Sequence, residues 1–282
     1  MQFPRQVPGS PRAGDPCTLE PDVVYAKAGG EPLRYDLWRV RGARRPAPAV
    51  VVVHGGGWMN GDPSQAFGNA RQFAARGIAT VSISYRLAPA HRFPAALDDV
   101  RRGLRYVRAN AAALGVDPDR LALMGLSAGA HLALLAHVAA GLPELAPDLP
   151  DDLRAVSEEV RAVMLHYGPY DLARRSVGNG DWDPVGDFLG QRVDDPAWVR
   201  LASPHYHAAH VRAPVLLIHG TADTVVSHRE SERMHAGLHA AGKSSELLLL
   251  DGAPHAFQMQ WDSDANRRAN AAMDAFLARH LG

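Results

Sequence analysis

A serine with glycines on both sides lies between an apolar run and an amphipathic run. The motif Gly125-Leu126-Ser127-Ala128-Gly129 closes the strand-like run RLALMG and opens the helix-like run AHLALLAHVAA. Glycines permit a sharp turn and a close approach of neighbouring backbone, so the hydroxyl can point away from the strand end. Ser127 could instead be a simple helix N-cap. The strand before it and the helix after it favour a nucleophile, with helix N–H groups directed towards developing negative charge.

Three consecutive glycines follow a second apolar run. The motif His54-Gly55-Gly56-Gly57-Trp58 comes directly after AVVVV, which begins at Ala49. Without side chains in the way, the backbone N–H groups of such a loop can turn inward and stabilise an oxyanion. A tight turn is the simpler alternative. Because a nucleophile motif occurs elsewhere in the chain, we predict an oxyanion-stabilising loop here.

A carboxylate and an imidazole follow two further apolar runs. Asp223 lies in HGTADTVV after PVLLIHG, and His255 lies in DGAPHAF after ELLLL. The chain order serine, acid, histidine is one of the known orders of a Ser-His-Asp triad. Asp251 and Asp171 are rival acids, but Asp251 is too near His255 in sequence to reach its Nδ1 comfortably, and Asp171 could stabilise a loop. We therefore predict a triad of Ser127, Asp223 and His255.

Two groups among the fourteen histidines have spacings that could bind a metal. His205, His207 and His210 form an H-x-H-x-x-H pattern, while His235 and His239 are one helical turn apart in an amphipathic segment. A zinc site needs three or four converging ligands with supporting partners. No cysteine or glutamate accompanies the first group at a suitable spacing. We predict surface histidines in both places, and neither a metal nor a cofactor.

Alternating strands and helices would position these loops. Amphipathic segments predict helices over about 64–76, 95–113, 128–140, 228–241 and 264–280. Nearly unbroken apolar runs suit strands that are covered on both faces. Together they indicate an α/β fold with a mostly parallel sheet flanked by helices. The predicted strands begin at Leu33, Ala49, Ile78, Arg120, Arg161, Pro214 and Glu246.

The chain divides into an arm and one domain. Residues 1–20, rich in proline and glycine, predict an N-terminal arm, and residues 21–282 predict a single domain. Within it, the stretch 171–210 keeps neither the helical nor the strand period, which suggests a cap-like insertion over a pocket. Trp58, Trp182 and Phe188 are candidate pocket walls, with core positions as the alternative.

At these motifs the chain resembles the α/β-hydrolase family, and specifically its hormone-sensitive-lipase-like esterases. The resemblance spans most of the chain and is carried by the HGGG loop, GxSAG, SYRLAP from Ser84 and FPAALDD from Phe93. It implies the α/β-hydrolase fold with a short insertion over the active site, and oxyanion donors at Gly56, Gly57 and Ala128. The implied activity is hydrolysis of carboxylic esters through an acyl-enzyme.

Departures from the lipase-like pattern concern the substrate. GLSAGA and the tryptophan after the glycine loop are closer to small acetyl or feruloyl esterases and to the kynurenine-formamidase-like branch. We therefore expect hydrolysis of short-chain, acetyl-type esters of carbohydrate or aryl alcohols, because no long hydrophobic lid segment is present. An arylformamidase is one alternative. A non-catalytic small-molecule-binding protein on the same fold is another.

The composition excludes several classes of partner. Thirty basic residues balance thirty acidic ones, so no net field attracts nucleic acid or an anionic membrane. The basic run Arg39, Arg41, Arg44 and Arg45 has no interleaved aromatic side chains and predicts a solvated loop. Cys17 is the only cysteine, and neither a secretory signal nor a membrane-spanning run is found. We expect a cytoplasmic protein with a small-molecule ester as its partner. The sequence makes no prediction of the oligomeric state.

Overall fold

The computed structural model describes residues 11, 14–43, 46–175, 177 and 182–282. Its strands form one eight-stranded sheet with the order β1-β2-β4-β3-β5-β6-β7-β8. The β2 strand pairs antiparallel with β1 and β4, and every later pairing, from β4–β3 to β7–β8, is parallel. The strands are β1 (Cys17–Ala28), β2 (Glu31–Val40), β3 (Ala47–Val53), β4 (Ala79–Ile83), β5 (Val116–Leu126), β6 (Ala162–His166), β7 (Val215–Gly220) and β8 (Ser245–Leu250).

Helices flank both faces of this sheet. Those that the described residues form are α1 (Phe67–Ala74), α2 (Ala95–Ala109), α3 (Ala111–Leu114), α4 (Ala128–Ala139), α5 (Asp151–Arg154), α6 (Pro184–Leu189), α7 (Pro196–Leu201), α8 (Arg229–Ala240) and α9 (Asp264–Leu281). None of them has both the length and the apolar character needed to cross a membrane. The prediction of an α/β-hydrolase fold is confirmed.

The central strand β3 shows why its sequence is an unbroken apolar run. Val51 and Val53 face the core beneath α2, α4 and α8, whereas Val50 and Val52 face a second core beneath α1 and α9. Side chains of a strand alternate between the two faces of a sheet, and both faces here are covered. All four valines are fully buried. A polar residue at any of them would lose water without gaining a partner.

The β1 strand was not predicted, and it begins inside the predicted arm. Residues Cys17–Glu20 pair with β2, with Cys17 opposite Val40. The strand lies at the sheet edge and contains Pro21 at a shift in its pairing register. Proline is tolerated there because an edge strand has one side without a neighbouring strand, where no backbone N–H donates to the sheet. This exposed edge lacks the apolar run by which the inner strands are recognised. Residues 1–10, 12 and 13 of the arm, and Arg44 and Arg45 of the basic run, lie outside the described residues.

The predicted insertion consists of short helices and turns. Within 171–210, the described residues form α6, α7 and short 3₁₀ helices at Leu172–Arg174, Gly190–Arg192 and Pro204–His210. Asp183 and Asp195 cap α6 and α7 by accepting hydrogen bonds from backbone N–H groups of the first turn. Each of these two helices is six residues long. Segments so short show no clear period, which explains why sequence alone predicts no helix here.

Candidate active site

Ser127 lies at a sharp turn between β5 and α4. Its backbone has φ 53° and ψ −119°, a conformation with positive φ that a serine rarely adopts. Its N–H donates to the carbonyl of His166 at 2.9 Å. A Cβ on Gly125 would overlap the carbonyl of Gly129, and a Cβ on Gly129 would overlap that of Val53. The two glycines are therefore required for the turn, as the motif predicts.

Ser127, His255 and Asp223 form a continuous hydrogen-bonded chain. Oγ of Ser127 lies 3.1 Å from Nε2 of His255, and Nδ1 of His255 lies 2.6 Å from Oδ2 of Asp223. The three residues follow β5, β8 and β7, whose carboxyl ends share one edge of the parallel sheet. The Asp223 side chain is fully buried, while that of His255 is 18% exposed. Only the serine end of this hydrogen-bonded series is thus open to a substrate.

The Asp223 carboxylate is held by donors on both oxygens. Oδ1 accepts from the N–H groups of Val225 and Val226 at 2.8 Å each, and Oδ2 accepts from Nε2 of His219 at 3.2 Å as well as from His255. Burial raises the pKa of Asp223, but hydrogen bonds from His219 and His255, the charge of His255 and the Val226 N–H together hold it well below its usual range. The carboxylate is therefore ionised at neutral pH.

Neither rival acid contacts the histidine. Asp251 is exposed and accepts a hydrogen bond from the Thr221 hydroxyl at 3.2 Å. Asp171 caps a short turn by accepting from Ala173 N–H, and it pairs with Arg174 at 2.9 Å. Asp171 thus stabilises the start of the segment 171–210.

The glycine loop lies directly against the turn at Ser127. A Cβ on Gly55 would come within 3.3 Å of Ser127 Cβ. Gly56 and Gly57 have φ values of 120° and 61°, which suit glycine and bring the backbone into a tight bend. Among the described residues, no backbone carbonyl or side chain accepts a hydrogen bond from the N–H of Gly56, Gly57 or Ala128. Three donors are therefore available beside the serine.

Residues of the SYRLAP segment hold the glycine loop in place through hydrogen bonds and ring stacking. The hydroxyl of Tyr85 donates to the carbonyl of His54 at 3.1 Å, and the two rings stack with centroids 4.2 Å apart. Nδ1 of His54 donates to the carbonyl of Gly55 at 2.8 Å. Ala88 N–H donates to the carbonyl of Trp58 at 2.9 Å. Burial lowers the pKa of His54 to about 4, so this ring is neutral and structural.

His131 joins the glycine loop to the insertion. Nε1 of Trp58 donates to its Nδ1 at 3.1 Å, and its Nε2 donates to the carbonyl of Ala202 at 2.7 Å. These contacts fix the neutral tautomer, and burial lowers the pKa of His131 to about 4. Sequence reasoning did not assign it a role. A histidine four residues after the serine, on the apolar helix α4, is the signal that could have identified it.

The three candidate wall residues differ in position. Trp58 and Phe188 are fully buried and stack with centroids 4.8 Å apart, so they occupy core positions. Trp182 is 40% exposed. A Cβ on Gly57 would meet its ring at 3.2 Å. Trp182 therefore covers the glycine loop and is the one candidate placed to contact a substrate.

The two histidine groups do not form metal sites. The rings of His207 and His210 have centroids 6.5 Å apart, and Nε2 of His207 donates to the carbonyls of Arg200 and Leu201. His235 bonds instead to the Ser245 hydroxyl at 2.8 Å. Across the part of the chain that the structure describes, no group of three His, Cys, Asp or Glu side chains could hold a metal ion.

The fold and this arrangement of residues define an α/β-hydrolase. The family model BD-FAE matches residues 35–238, and the chain belongs to this family of hormone-sensitive-lipase-like hydrolases. The prediction of that family is confirmed.

Similar proteins are named as esterases. Esterase LipQ of Mycobacterium tuberculosis (strain ATCC 25618 / H37Rv) is 33% identical over 90% of this chain and 61% of its own length. Esterase LipC of the same strain is 34% identical over 84% of this chain and 59% of its own. The chain thus spans about three fifths of these relatives. The propionate-bound esterase Est2 of Thermogutta terrifontis superposes with a TM-score of 0.77 at 26% identity, covering 94% of both chains.

Proposed function

We propose that this chain is a serine carboxylesterase that hydrolyses short-chain acyl esters through an acyl-enzyme. The observation that carries the proposal is the continuous hydrogen-bonded chain from Ser127 through His255 to Asp223, with contacts of 3.1 and 2.6 Å. The N–H groups of Gly56, Gly57 and Ala128, which have no acceptor among the described residues, support it, since they can bind the oxyanion that ester cleavage creates. Esterase names among the relatives support the choice of ester over other acyl bonds.

The first half of the reaction forms the acyl-enzyme. Nε2 of His255 takes the hydroxyl proton as Oγ of Ser127 bonds to the ester carbonyl carbon, whose oxygen becomes negative. The N–H groups of Gly56, Gly57 and Ala128 stabilise that oxyanion. The tetrahedral intermediate then collapses, the carbon–oxygen bond to the alcohol breaks, and His255 transfers its proton to the departing alcohol. Ionised Asp223 stabilises the imidazolium between the two transfers.

The second half removes the acyl group. His255 takes a proton from water as the water oxygen attacks the acyl carbon, and the oxyanion forms again at the same three N–H groups. Collapse breaks the bond to Oγ of Ser127, which recovers the proton from His255. The products are a carboxylic acid and free enzyme. Each side chain thereby returns to its starting protonation state.

The position of Trp182 supports short acyl chains, because its ring covers the glycine loop beside Ser127. Trp58 and Phe188 are buried and stacked on each other, so they leave no room for a long chain to pass between the loop and residues 184–189. Est2 of Thermogutta terrifontis has been solved with propionate and with butyrate bound. We therefore propose acetyl-type and similarly small acyl groups, on carbohydrate or aryl alcohols.

A series of p-nitrophenyl esters from acetate to palmitate tests the proposal. Each methylene that enters an apolar groove contributes about 0.8 kcal/mol, so a long groove would raise kcat/KM with chain length. We expect the highest kcat/KM between acetate and butyrate, and a decline beyond. A maximum at decanoate or longer would contradict the short-chain proposal. N-formylkynurenine assayed beside the esters separates arylformamidase activity, since a higher kcat/KM on it would make the ester the secondary substrate.

A further inference from the structure

A second histidine contacts the same carboxylate oxygen as His255. Nε2 of His219 lies 3.2 Å from Oδ2 of Asp223 and 3.0 Å from the carbonyl oxygen of Val226. Both oxygens are acceptors, so Nε2 carries a hydrogen and donates to them. On the other side of the ring, Nδ1 lies 2.7 Å from Oγ of Ser231. In the neutral ring Nδ1 accepts the hydroxyl hydrogen of that serine.

The triad is therefore part of a longer series of five side chains that are linked by hydrogen bonds. It runs from Ser127 through His255 to Asp223, and on through His219 to Ser231. His219 and Ser231 are fully buried, at the end of β7 and in the first turn of α8. Only the half that contains Ser127 can reach a substrate. The buried half can act on the reaction only through the carboxylate.

We propose that His219, held by Ser231, is a positioning residue for the catalytic acid. It fixes Oδ2 of Asp223 in place and takes up part of its negative charge, and so sets how strongly Asp223 favours the protonated form of His255. This inference rests on the proposed function, because His219 acts through Asp223 and His255 on the same reaction.

A buried carboxylate needs hydrogen-bond donors at both of its oxygens. Oδ1 of Asp223 already has two backbone donors, so its hydrogen bonding survives the loss of a side chain. Oδ2 has only His255 and His219 as donors among the described residues. Without His219, more negative charge stays on Oδ2, and the imidazolium of His255 gains stabilisation. The general base would then remain protonated to higher pH, and the carboxylate would lose one of its restraints.

Other titratable neighbours do not produce this effect near neutral pH. His166 and Tyr167, at the end of β6, face His219, while Tyr170 lies beside Ser231. Burial lowers the pKa of His166 to about 3 and raises the pKa of both tyrosines above their usual range. The adjacent carboxylate Glu230 is paired with Arg233. A change in the acidic limb of kcat/KM near neutral pH therefore does not arise from these neighbours.

Two substitutions of similar polarity separate positioning from packing. In His219→Gln, the amide nitrogen can take the place of Nε2 and still donate to Asp223. In His219→Asn, the shorter amide reaches only as far as Nδ1 did, towards Ser231. Both variants lose the ring, so their melting temperatures should fall by similar amounts. The measurements are kcat, KM and the pH dependence of kcat/KM on p-nitrophenyl acetate.

We expect His219→Gln to retain kcat within about fivefold and to keep the acidic limb of kcat/KM in place. His219→Asn should lower kcat by about tenfold to hundredfold, the effect of one hydrogen bond to a charged group, with KM changed less than about twofold. Its acidic limb should move to higher pH. Ser231→Ala, which leaves His219 in place but frees its ring, should move the limb in the same direction by less.

The positioning role would be wrong if folded His219→Asn and His219→Gln had the same kcat and the same acidic limb of kcat/KM, and Ser231→Ala left that limb unmoved. His219 would then only pack beneath the loop. Wild-type protein without ester hydrolysis would instead overturn the proposed function itself. Activity in the wild type with no difference among the variants overturns this inference alone.

Discussion

In the proposed mechanism, the carboxylate of Asp223 is the group that orients His255 towards Ser127. It accepts hydrogen bonds from two backbone N–H groups and two imidazoles, and its pKa is held well below the usual range although burial alone would raise it. An ionised partner fixes the tautomer of His255 with Nδ1 as donor and leaves Nε2 free to accept the serine proton. The charge of Asp223 therefore matters as much as its position.

Asp223→Asn should lower kcat on p-nitrophenyl acetate by about 10⁴, because a neutral amide can stabilise the wrong imidazole tautomer. Asp251→Asn is the matched control, since Asp251 is exposed and contacts Thr221 instead. We expect it to change kcat by less than about threefold. Steady-state kinetics on both variants checks this. A larger loss from Asp251→Asn than from Asp223→Asn would mean that the wrong acid is assigned.

At the scale of elements, the site depends on backbones that approach closely. The turn at Ser127 is pressed against the end of β3, where a Cβ on Gly129 would overlap the carbonyls of Val53 and His54. The glycine loop and the nucleophile turn are therefore positioned by one contact between neighbouring strand ends. Displacing either element moves the N–H groups of Gly56 and Gly57, the proposed oxyanion donors, relative to Ser127.

Gly129→Ala should destabilise the protein by about 2 kcal/mol or more and reduce activity, because the added methyl has no space. Gly237→Ala in α8 is its control. A Cβ there would meet only the His205 ring, at 3.8 Å, an ordinary contact, so helix propensity should stabilise the protein by about 0.5–1 kcal/mol. Urea unfolding of both variants measures the difference. Equal stability of Gly129→Ala and wild type would contradict the close approach.

Which elements sequence could predict follows from their burial. Strands such as β3 and β7 are covered on both faces, so their apolar runs are unmistakable, and their loops carry motifs of fixed spacing. The edge strand β1 contains Pro21 and has no such run. His219 and His131 were missed because their partners, Ser231 and Ala202, are brought to them only by the tertiary fold. No local spacing reports such contacts.

At the scale of the whole molecule, several histidines are kept neutral inside the fold. Burial lowers the pKa of His54, His131 and His137 to about 4 and that of His166 to about 3. In the unfolded chain an imidazole titrates near pH 6.5. Between about pH 6.5 and 4, the unfolded state therefore binds more protons than the folded state. The free energy of unfolding must fall as the pH falls through this window.

We expect this loss of stability to be steep between about pH 6.5 and 5, before most carboxylates titrate. Each histidine whose pKa is lowered by one unit contributes about 1.4 kcal/mol at full protonation of the unfolded chain. Urea unfolding at intervals of pH measures the slope. His137→Gln should reduce the slope of the free energy of unfolding against pH by the equivalent of up to one bound proton. His137 suits this test because its Nε2 accepts hydrogen bonds from the N–H groups of Arg212 and Ala213, far from the site. A free energy of unfolding that stays constant from pH 7 to 5 would contradict the burial of neutral histidines.

Identifying the nucleophile tests the proposed mechanism most directly. Est2 of Thermogutta terrifontis has been solved phosphorylated by paraoxon, and the same reagent can be applied to this chain. We expect paraoxon to abolish ester hydrolysis with one adduct per chain, which peptide mass spectrometry places on Ser127. Folded Ser127→Ala should neither react nor hydrolyse p-nitrophenyl acetate. An adduct on another residue, or ester hydrolysis at the wild-type rate by Ser127→Ala, would contradict the mechanism.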